Sequence, residues 1–349
     1  MNKELRDINI VKIQNLPTPA EYESSIPISE TQRSFIFKGR QSIIDILSGQ
    51  DDRLLAIVGP CSIHDVTAGI EYAKKLKKCS EKIASEILVL MRVYFEKPRT
   101  TIGWKGMIYD PHLNGSLDIQ EGLKRARSFL SDLSDVGLLC ATEFVDPITP
   151  QYIADFVSWA AIGARTAESQ THRQMASGLS MPVGIKNGTG GSIQLAADAI
   201  VAANSKHGFL GVDEHGNASI VMTNGNPNSH LVLRGGSNGP NYDETSVANA
   251  INILNKSHVS NKLIIDCSHA NSNKNFELEP LVFQDVLNQR LTGNSNIAGM
   301  MIESHLKPGS QTLNENKPKD LEYGVSITDS CLGWEQTEEL LLDAFEKLS

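Results

Sequence analysis

An alternation of strand-like and helix-like segments is the feature that most constrains how this chain folds. Eight short apolar runs recur along it, and amphipathic helical patterns follow them. Continuous apolar runs of this length suit strands covered on both faces, as in a parallel sheet between helices. The runs span residues 54–60, 87–94, 137–144, 159–165, 181–187, 230–236, 262–269 and 298–305. The helical patterns span roughly 65–83, 118–134, 149–158, 168–179, 191–205, 243–257, 278–291 and 334–347.

Eight strand–helix units predict an α/β fold, namely a (β/α)8 barrel of the TIM type. The chain has 349 residues, which is enough for one such barrel with additions. Several helices are predicted to open with a capping residue: Asp118, Thr149, Ser192 and Asp243. An open, doubly wound sheet is the alternative fold.

Two segments are not needed to close a barrel. The first precedes the first strand and holds the apolar stretch INIVKI, a linker with prolines and a helix predicted over 29–49. The second, at about 208–224, alternates around EHGN and predicts an inserted β-hairpin. We therefore predict an N-terminal extension over 1–50, serving assembly or regulation, and a catalytic barrel over 51–349 that carries the hairpin. A purely structural role is the alternative for both additions.

Charge and cysteine content limit the classes of binding partner and the cellular locations that we expect. The chain has 32 basic and 41 acidic residues, a net charge of −9, which disfavours binding of nucleic acid or anionic membranes by the whole surface. Its start lacks the apolar stretch of a signal peptide, and no run approaches the roughly 20 apolar residues of a membrane span. Five scattered cysteines do not form a disulfide framework. We expect a cytoplasmic protein with no nucleic-acid or membrane partner.

Each predicted strand ends in a residue that a dry core disfavours. Barrel enzymes assemble their chemistry where the strands end, because the loops there converge on one point. Four of these residues are cations, and the loop FEKPRTTIGWKG adds three more. Seven converging positive charges repel one another unless anions such as phosphate or carboxylate lie between them. The strand-end residues are Cys61, Arg92, Glu143, Arg165, Lys186, Arg234, His269 and Glu303, and the loop cations are Lys97, Arg99 and Lys105.

Three of the strand-end residues, with one from a later loop, suggest a metal site. Cys61, His269 and Glu303 terminate the first, seventh and eighth strands, which are neighbours once the barrel closes. Asp329, in the loop before the last helix, can reach the same point. A thiolate, an imidazole and two carboxylates suit one borderline divalent ion, Mn²⁺, Fe²⁺, Co²⁺ or Zn²⁺. The glycine-rich KNGTGG lacks the spacing of a nucleotide-binding loop, so ATP or NAD chemistry has no support.

Together these motifs resemble the type I 3-deoxy-D-arabino-heptulosonate 7-phosphate (DAHP) synthases, the class regulated by aromatic amino acids. The resemblance covers nearly the whole chain. Its longest motifs are LLAIVGPCSIHD, MRVYFEKPRTTIGWKG, AIGARTAESQTHR, PVGIKNGTGG, DCSHANS and SITDSCLGWE. It implies a metal-dependent condensation of phosphoenolpyruvate with D-erythrose 4-phosphate and water to give DAHP and phosphate, the first step of the shikimate pathway.

The resemblance also implies a role for individual residues. The metal ligands are Cys61, His269, Glu303 and Asp329. The substrate-binding residues are Arg92, Lys97, Arg99, Thr100, Lys105, Glu143, Ala164, Arg165, Lys186 and Arg234. We assign catalytic roles to Lys97, Glu143, Cys61 and His269. Lys97 is expected to protonate the new alkoxide, and Glu143 or a metal-bound water to activate the attacking water.

Members of this class are feedback-inhibited and assemble as homodimers or homotetramers, with the N-terminal extension reaching a neighbouring subunit. The matching inhibitor-site positions are Asp7, Pro150, Gln151, Leu179, Ser180, Phe209, Gly211 and Val221. Gly211 stands where Phe-sensitive relatives carry Ser, which leaves room for a larger ligand and favours Tyr over Phe as the inhibitor. The expected partners are therefore the two substrates, an aromatic amino acid and further copies of the chain.

Three other functions remain as alternatives. A sister synthase uses arabinose 5-phosphate as the acceptor, but its loop differs from KPRTT. A catalytically silent barrel would bind a phosphometabolite or an aromatic amino acid. An aldolase would form a Schiff base at Lys186. We also predict that oxidation joins Cys331 to Cys61 and so removes a thiolate ligand.

Overall fold

The protein is described here by a computed structural model that covers residues 5–349. Its barrel strands are β1 (Leu54–Gly59), β2 (Ile87–Arg92), β3 (Leu139–Glu143), β4 (Trp159–Ile162), β5 (Val183–Lys186), β8 (Ser229–Leu233), β9 (Leu263–Asp266) and β10 (Ile297–Glu303). All pair in parallel and close in the order β1-β10-β9-β8-β5-β4-β3-β2. The predicted (β/α)8 barrel is confirmed. The open-sheet alternative is wrong, because β1 pairs with both β2 and β10.

Helices lie between the strands largely as the sequence predicts. They are α3 (Val66–Lys82), α4 (Ile119–Val136), α5 (Pro150–Ile153), α6 (Gln170–Gly178), α7 (Ile193–Ala203), α8 (Glu244–Lys256), α9 (Glu279–Leu291) and α10 (Trp334–Leu348). Asp118, Ser192 and Asp243 accept backbone N–H groups as predicted caps. Thr149 makes no such bond, and the helix predicted over 149–158 is wrong in its second half, where a 3-10 turn follows α5.

The N-terminal segment adds two helices, α1 (Pro19–Ser25) and α2 (Glu30–Ser48). Helix α2 lies where the sequence predicts a helix, whereas α1 was not predicted. A capping box between Thr18 and Glu21 starts α1 inside the proline-containing linker. From α2, Ile43 and Ile46 pack with Leu55 in the cluster that fills the barrel interior. This helix therefore closes the end of the barrel where the strands begin.

The predicted hairpin is present as β6 (His207–Val212) and β7 (Ala218–Thr223), an antiparallel pair outside the barrel. One of its faces carries exposed apolar side chains: Leu210, Ile220 and Met222. Among residues 5–349, no helix is long and apolar enough to cross a bilayer.

Candidate active site and metal centre

The polar residues predicted at the strand ends all lie at one end of the barrel. Arg92, Glu143 and Lys186 are the last residues of β2, β3 and β5, and Glu303 is the last residue of β10. The other four follow their strands by one to three residues: Cys61, Arg165, Arg234 and His269. Parallel strands end on the same side, so the connecting loops meet over one opening.

A cavity opens at this end, which we name the rim cavity. Its lining residues are Arg92, Lys97, Pro98, Arg99, Glu143, Gly163, Ala164, Arg165, Lys186, Thr189, Arg234, His269, Lys274, Thr328 and Asp329. Six of the seven predicted cations are among them. Lys105 is exposed and lies outside this lining, although its carbonyl accepts a hydrogen bond from the backbone N of Lys97 at 2.9 Å. Thr100 also lies outside the lining, but its hydroxyl accepts a hydrogen bond from Nε of Arg165 at 3.2 Å.

The guanidinium of Arg92 is held rigidly at the base of the rim cavity. Its Nη2 lies 2.7 Å from Oε1 of Glu303, and its Nε donates to the carbonyl of Pro60 at 3.2 Å. The guanidinium carbon lies 3.5 Å from the ring centroid of Tyr94. Both Arg92 and Glu303 are fully buried, and a buried pair of this kind needs such additional contacts to offset the loss of hydration.

A second buried ion pair centres on Asp266, the last residue of β9. Its Oδ2 lies 3.0 Å from Nζ of Lys186 and 3.0 Å from Nδ1 of His269. Burial works to raise the pKa of Asp266, but the charges of His269 and Lys186 outweigh it and hold that pKa well below its ordinary value. Asp266 was not among the predicted site residues. An Asp that ends an apolar strand is the signal that would have found it, because a buried carboxylate requires partners.

Three of the four proposed metal ligands converge on one point. Ligand atoms of Cys61, Glu303 and Asp329 lie within 4.8 Å of one another. His269 is not part of this group, although its Nε2 lies only 3.9 Å from Oε1 of Glu303. Its Nδ1 lies 2.7 Å from Oγ of Ser268 and 3.0 Å from Oδ2 of Asp266, which leaves Nε2 free to face the cluster.

The charges around the cluster fit a cation. Burial, aided by Glu303, raises the pKa of the Cys61 thiol to about 11. Lys97 donates from Nζ to Sγ of Cys61 at 3.2 Å and to its carbonyl at 3.1 Å. Burial works to raise the pKa of Asp329, but Lys97 and His269 lower it overall. A thiol, an imidazole and two carboxylates at this spacing match the donor set of a borderline divalent ion.

Glu143 presents a carboxylate to the rim cavity. Its Oε1 is buried and has no hydrogen-bond partner within residues 5–349. Gly163 lines the cavity beside it, and a Cβ at that position would collide with this oxygen. Because glycine has no side chain, position 163 leaves the space that the carboxylate of Glu143 occupies.

Lys274 is a cation of the rim cavity that the sequence analysis missed. It follows β9 in a tight turn, where its backbone N donates to the carbonyl of His269 at 2.6 Å. Both residues have positive φ, +59° and +58°. This conformation is uncommon outside glycine and is typical of functional turns. No local sequence pattern predicts it.

Comparison with known proteins agrees with this geometry. Residues 25–342 match the model of the DAHP synthetase I family. The chain belongs to this family. A Tyr-sensitive phospho-2-dehydro-3-deoxyheptonate aldolase of Escherichia coli K12 is 46% identical over 99% of this chain and 96% of its own length. The Phe-sensitive enzyme of the same organism is 50% identical over 98% and 97%.

A solved structure is similar across the same length. The phospho-2-dehydro-3-deoxyheptonate aldolase of Francisella tularensis SCHU S4 superimposes with a TM-score of 0.95 at 47% identity, covering 97% of this chain and 98% of that one. Family membership makes this chain an enzyme of the DAHP synthase class, which performs the first step of the shikimate pathway under feedback by aromatic amino acids.

A second cavity, of about 300 Å³, lies between α5, α6 and the hairpin. Of the eight residues predicted to form the inhibitor site, six line this cavity: Pro150, Gln151, Leu179, Phe209, Gly211 and Val221. Ser180 is exposed next to Leu179 and outside this lining. Asp7 is also exposed and does not line the cavity of its own chain. Pro147, Ile148, Thr171 and Met175 are lining residues that the sequence analysis did not name.

Proposed function

We propose that the rim cavity is where this chain condenses phosphoenolpyruvate with D-erythrose 4-phosphate and water, giving DAHP and phosphate. The observation that carries the proposal is the convergence of Lys and Arg side chains beside the Cys61, Glu303 and Asp329 cluster. A site for two phosphorylated substrates needs such cations. The names of the relatives favour this reaction over that of the sister synthase.

The cations divide between the two substrates. Arg165, Lys186 and Arg234, with the backbone of Ala164, would hold the phosphate of phosphoenolpyruvate, and Arg92 would lie near its carboxylate. Arg99 and Thr100, on the loop after β2, would hold the phosphate of erythrose 4-phosphate. Arginine suits this task because its fork matches phosphate oxygens in pairs. The assignment of Lys105 to phosphoenolpyruvate requires its loop to close over the cavity.

Cys61, His269, Glu303 and Asp329 would together hold one divalent ion, Mn²⁺, Fe²⁺, Co²⁺ or Zn²⁺. When bound, such an ion polarises a carbonyl oxygen as a Lewis acid. Asp266 and Ser268 contribute by holding Nδ1 of His269, which orients the imidazole with Nε2 toward the cluster. The buried pair of Arg92 and Glu303 holds the latter carboxylate in place.

The residues around the cluster can account for the proton transfers. Bound phosphoenolpyruvate presents C3 to the aldehyde carbon, and a C–C bond forms as the aldehyde oxygen becomes an alkoxide. Lys97, with Nζ beside Cys61, would protonate that alkoxide. Glu143 would accept a proton from the water that attacks C2. The C2–O bond to phosphate then breaks, and the new C2 hydroxyl gives its proton to the departing phosphate as the keto group of the product forms.

Release of inorganic phosphate tests the proposal. Phosphoenolpyruvate and erythrose 4-phosphate should release phosphate together, a chelator should abolish the release, and added divalent ion should restore it.

Arabinose 5-phosphate in place of erythrose 4-phosphate tests the sister reaction, and a silent barrel would release phosphate with neither sugar phosphate. Borohydride with substrate tests the Schiff base, which the pairing of Lys186 with Asp266 disfavours. Phosphate release that is unaffected by the chelator would refute the metal site.

We also propose that the second cavity binds an inhibitory aromatic amino acid, with Tyr preferred over Phe, in a homodimer or homotetramer. Gly211 supports the preference because the absence of a side chain widens this cavity. Exposed apolar residues of the N-terminal extension, such as Ile8 and Val11, and those of the hairpin support assembly. The five unpaired cysteines support a cytoplasmic location. Phosphate release repeated with Phe, Tyr and Trp tests the preference.

A further inference from the structure

Three buried asparagines connect the loops that follow β5, β8 and β9: Asn187, Asn241 and Asn271. Nδ2 of Asn241 donates to Oδ1 of Asn187 at 3.2 Å, and Oδ1 of Asn271 accepts the backbone N–H of Asn241 at 2.8 Å. We name these three residues the asparagine network. All of them lie outside the lining of the rim cavity, so they can affect a substrate there only through a residue that does line it.

The asparagine network holds the backbone on both sides of Arg234. In the peptide group before it, Oδ1 of Asn187 accepts the N–H of Arg234 at 2.9 Å, and Nδ2 of Asn271 donates to the carbonyl at 3.3 Å. In the peptide group after it, the N–H of Gly235 donates to Oδ1 of Asn241 at 2.7 Å. Three side chains therefore fix the Cα from which the side chain of Arg234 starts.

Asn187 uses its full hydrogen-bonding capacity in this arrangement. Its Nδ2 also donates to the carbonyls of Gly235 at 2.9 Å and of Gly188 at 3.0 Å, so both donors and both acceptor lone pairs are used. Gly235 has a φ of +72°, and a Cβ there would lie 2.7 Å from the carbonyl carbon of Ala270. The turn after Arg234 thus requires a glycine, whose two backbone polar atoms are both bound by asparagines.

Arg234 depends on this backbone support because no carboxylate orients it. Arg92 and Lys186 are each paired with a buried carboxylate, whereas Arg234 makes no ion pair within residues 5–349. Its Nη1 donates only a long hydrogen bond, of 3.4 Å, to the carbonyl of Gly235. A carboxylate partner would compete with phosphate for the guanidinium. Neutral amides that bind the backbone fix the residue and leave its charge available.

We propose that the asparagine network is a set of positioning residues that hold Arg234 in place for the phosphate of phosphoenolpyruvate. The proposal rests on the proposed function, in which Arg234 binds that phosphate. Loss of a network member frees the backbone around Arg234, and its guanidinium then spreads over positions that do not match the phosphate oxygens. Arg99, assigned to the phosphate of erythrose 4-phosphate, lies on the loop after β2 and donates to the carbonyl of Trp104 instead. The effect should therefore be selective for phosphoenolpyruvate.

Asn187→Ala and Asn241→Ala test the proposal. Calorimetry on the Mn²⁺-loaded enzyme measures the Kd of phosphoenolpyruvate without turnover, and phosphate release measures the KM of each substrate. We expect the Kd and KM of phosphoenolpyruvate to rise about 10- to 100-fold, as for a binding group displaced by about 1 Å, while the KM of erythrose 4-phosphate changes less than about 3-fold. Asn241→Ala keeps the test decisive if Asn187→Ala does not fold, because the side chain of Asn241 makes two of the bonds and that of Asn187 makes four.

A double-mutant cycle separates positioning of Arg234 from a general loosening of the site. Arg234→Ala removes the guanidinium that the network is proposed to hold. Adding Asn241→Ala to that variant should therefore raise the Kd of phosphoenolpyruvate by less than about 2-fold, since residues that act through one another are not additive. An equal rise in the two backgrounds overturns the action through Arg234.

Asn226→Ala is the matched control. Asn226 is also buried, and its Nδ2 donates to the carbonyls of Leu179 at 3.1 Å and Met181 at 2.9 Å, which joins the segments before β5 and β8 at the opposite end of the barrel. Its loss should lower stability in urea but leave the Kd of phosphoenolpyruvate within about 2-fold, because the site is distant.

An equal rise of that Kd in Asn226→Ala, or a wild-type Kd in folded Asn187→Ala and Asn241→Ala, overturns the positioning role alone. Failure of the wild-type enzyme to bind phosphoenolpyruvate overturns the proposed substrate site as well.

Discussion

Asp266→Asn is the substitution whose consequences the structure defines most fully. Asp266 is 0% exposed and binds Lys186, itself 3% exposed, at 3.0 Å. The amide leaves the ammonium of Lys186 buried without its carboxylate, which typically costs about 3–5 kcal/mol. The same change removes one of the two groups that hold Nδ1 of His269, the other being Oγ of Ser268. Loss of such a partner behind a ligating histidine typically lowers metal affinity about 10- to 100-fold.

Asp343→Asn is the matched control for this prediction. It removes another Asp–Lys pair, in which Asp343 lies 2.8 Å from Nζ of Lys347 and both side chains are 41% exposed. Exposed pairs are typically worth about 0.2–1 kcal/mol, and no metal ligand depends on this one. Urea unfolding of the metal-free protein measures the stability, and competition with a chromophoric chelator measures metal affinity. Equal loss of stability in the two variants, or wild-type metal affinity in Asp266→Asn, would show that the buried network does not act as described.

Three further changes test separate parts of the molecule. Peroxide treatment of the metal-free protein should join Cys61 to Cys331, so that divalent ion added afterwards no longer restores activity. Dithiothreitol given before the ion should recover that activity, and Cys331→Ala should resist the peroxide. Inactivation unchanged in this variant would exclude the disulfide. Gly211→Ser should shift inhibition from Tyr toward Phe by about 10-fold or more, since an added Cβ would lie 2.7 Å from Cγ2 of Val221 and narrow the second cavity. Inhibition curves with each amino acid measure the shift, and an unchanged ratio of the two inhibition constants contradicts it. Ile43→Ala should lower the free energy of unfolding by about 2–5 kcal/mol, because this side chain is fully buried in the barrel interior. Urea titration measures that free energy, and a loss under about 1 kcal/mol would mean that α2 does not close the barrel.

The barrel could be predicted because its signal is repeated. A single apolar run does not distinguish a buried strand from a helix segment, but eight in alternation with helical patterns do. The rim cavity follows from the same reasoning, since parallel strands end on one side. Arg92 and Glu303 could therefore be placed at the same end, although their 2.7 Å contact could not.

The residues that were missed depend on tertiary context. Thr149 is of a residue type that often caps helices, but its side chain is directed to the buried carboxylate of Glu96 in another loop. Lys274 reaches the rim cavity only because its turn adopts positive φ without a glycine. Lys105 and Asp7 illustrate a different difficulty. Their predicted roles depend on a closed loop and on a neighbouring subunit, and neither follows from the conformation of one chain.

The ion pairs of the rim cavity divide its cations into two groups with different tasks. Arg92 and Lys186 are paired with buried carboxylates, so they are held in place before any substrate arrives. Lys97 makes no ion pair within residues 5–349, but its ammonium donates to Cys61. Apart from it, four lining cations make no ion pair in the part of the chain that the structure describes: Arg99, Arg165, Arg234 and Lys274. Two phosphate monoesters carry about −3 to −4 at pH 7, which nearly balances these four charges. The unpaired cations repel one another until both phosphates are bound, so binding of the first substrate should leave a positive field that favours the second.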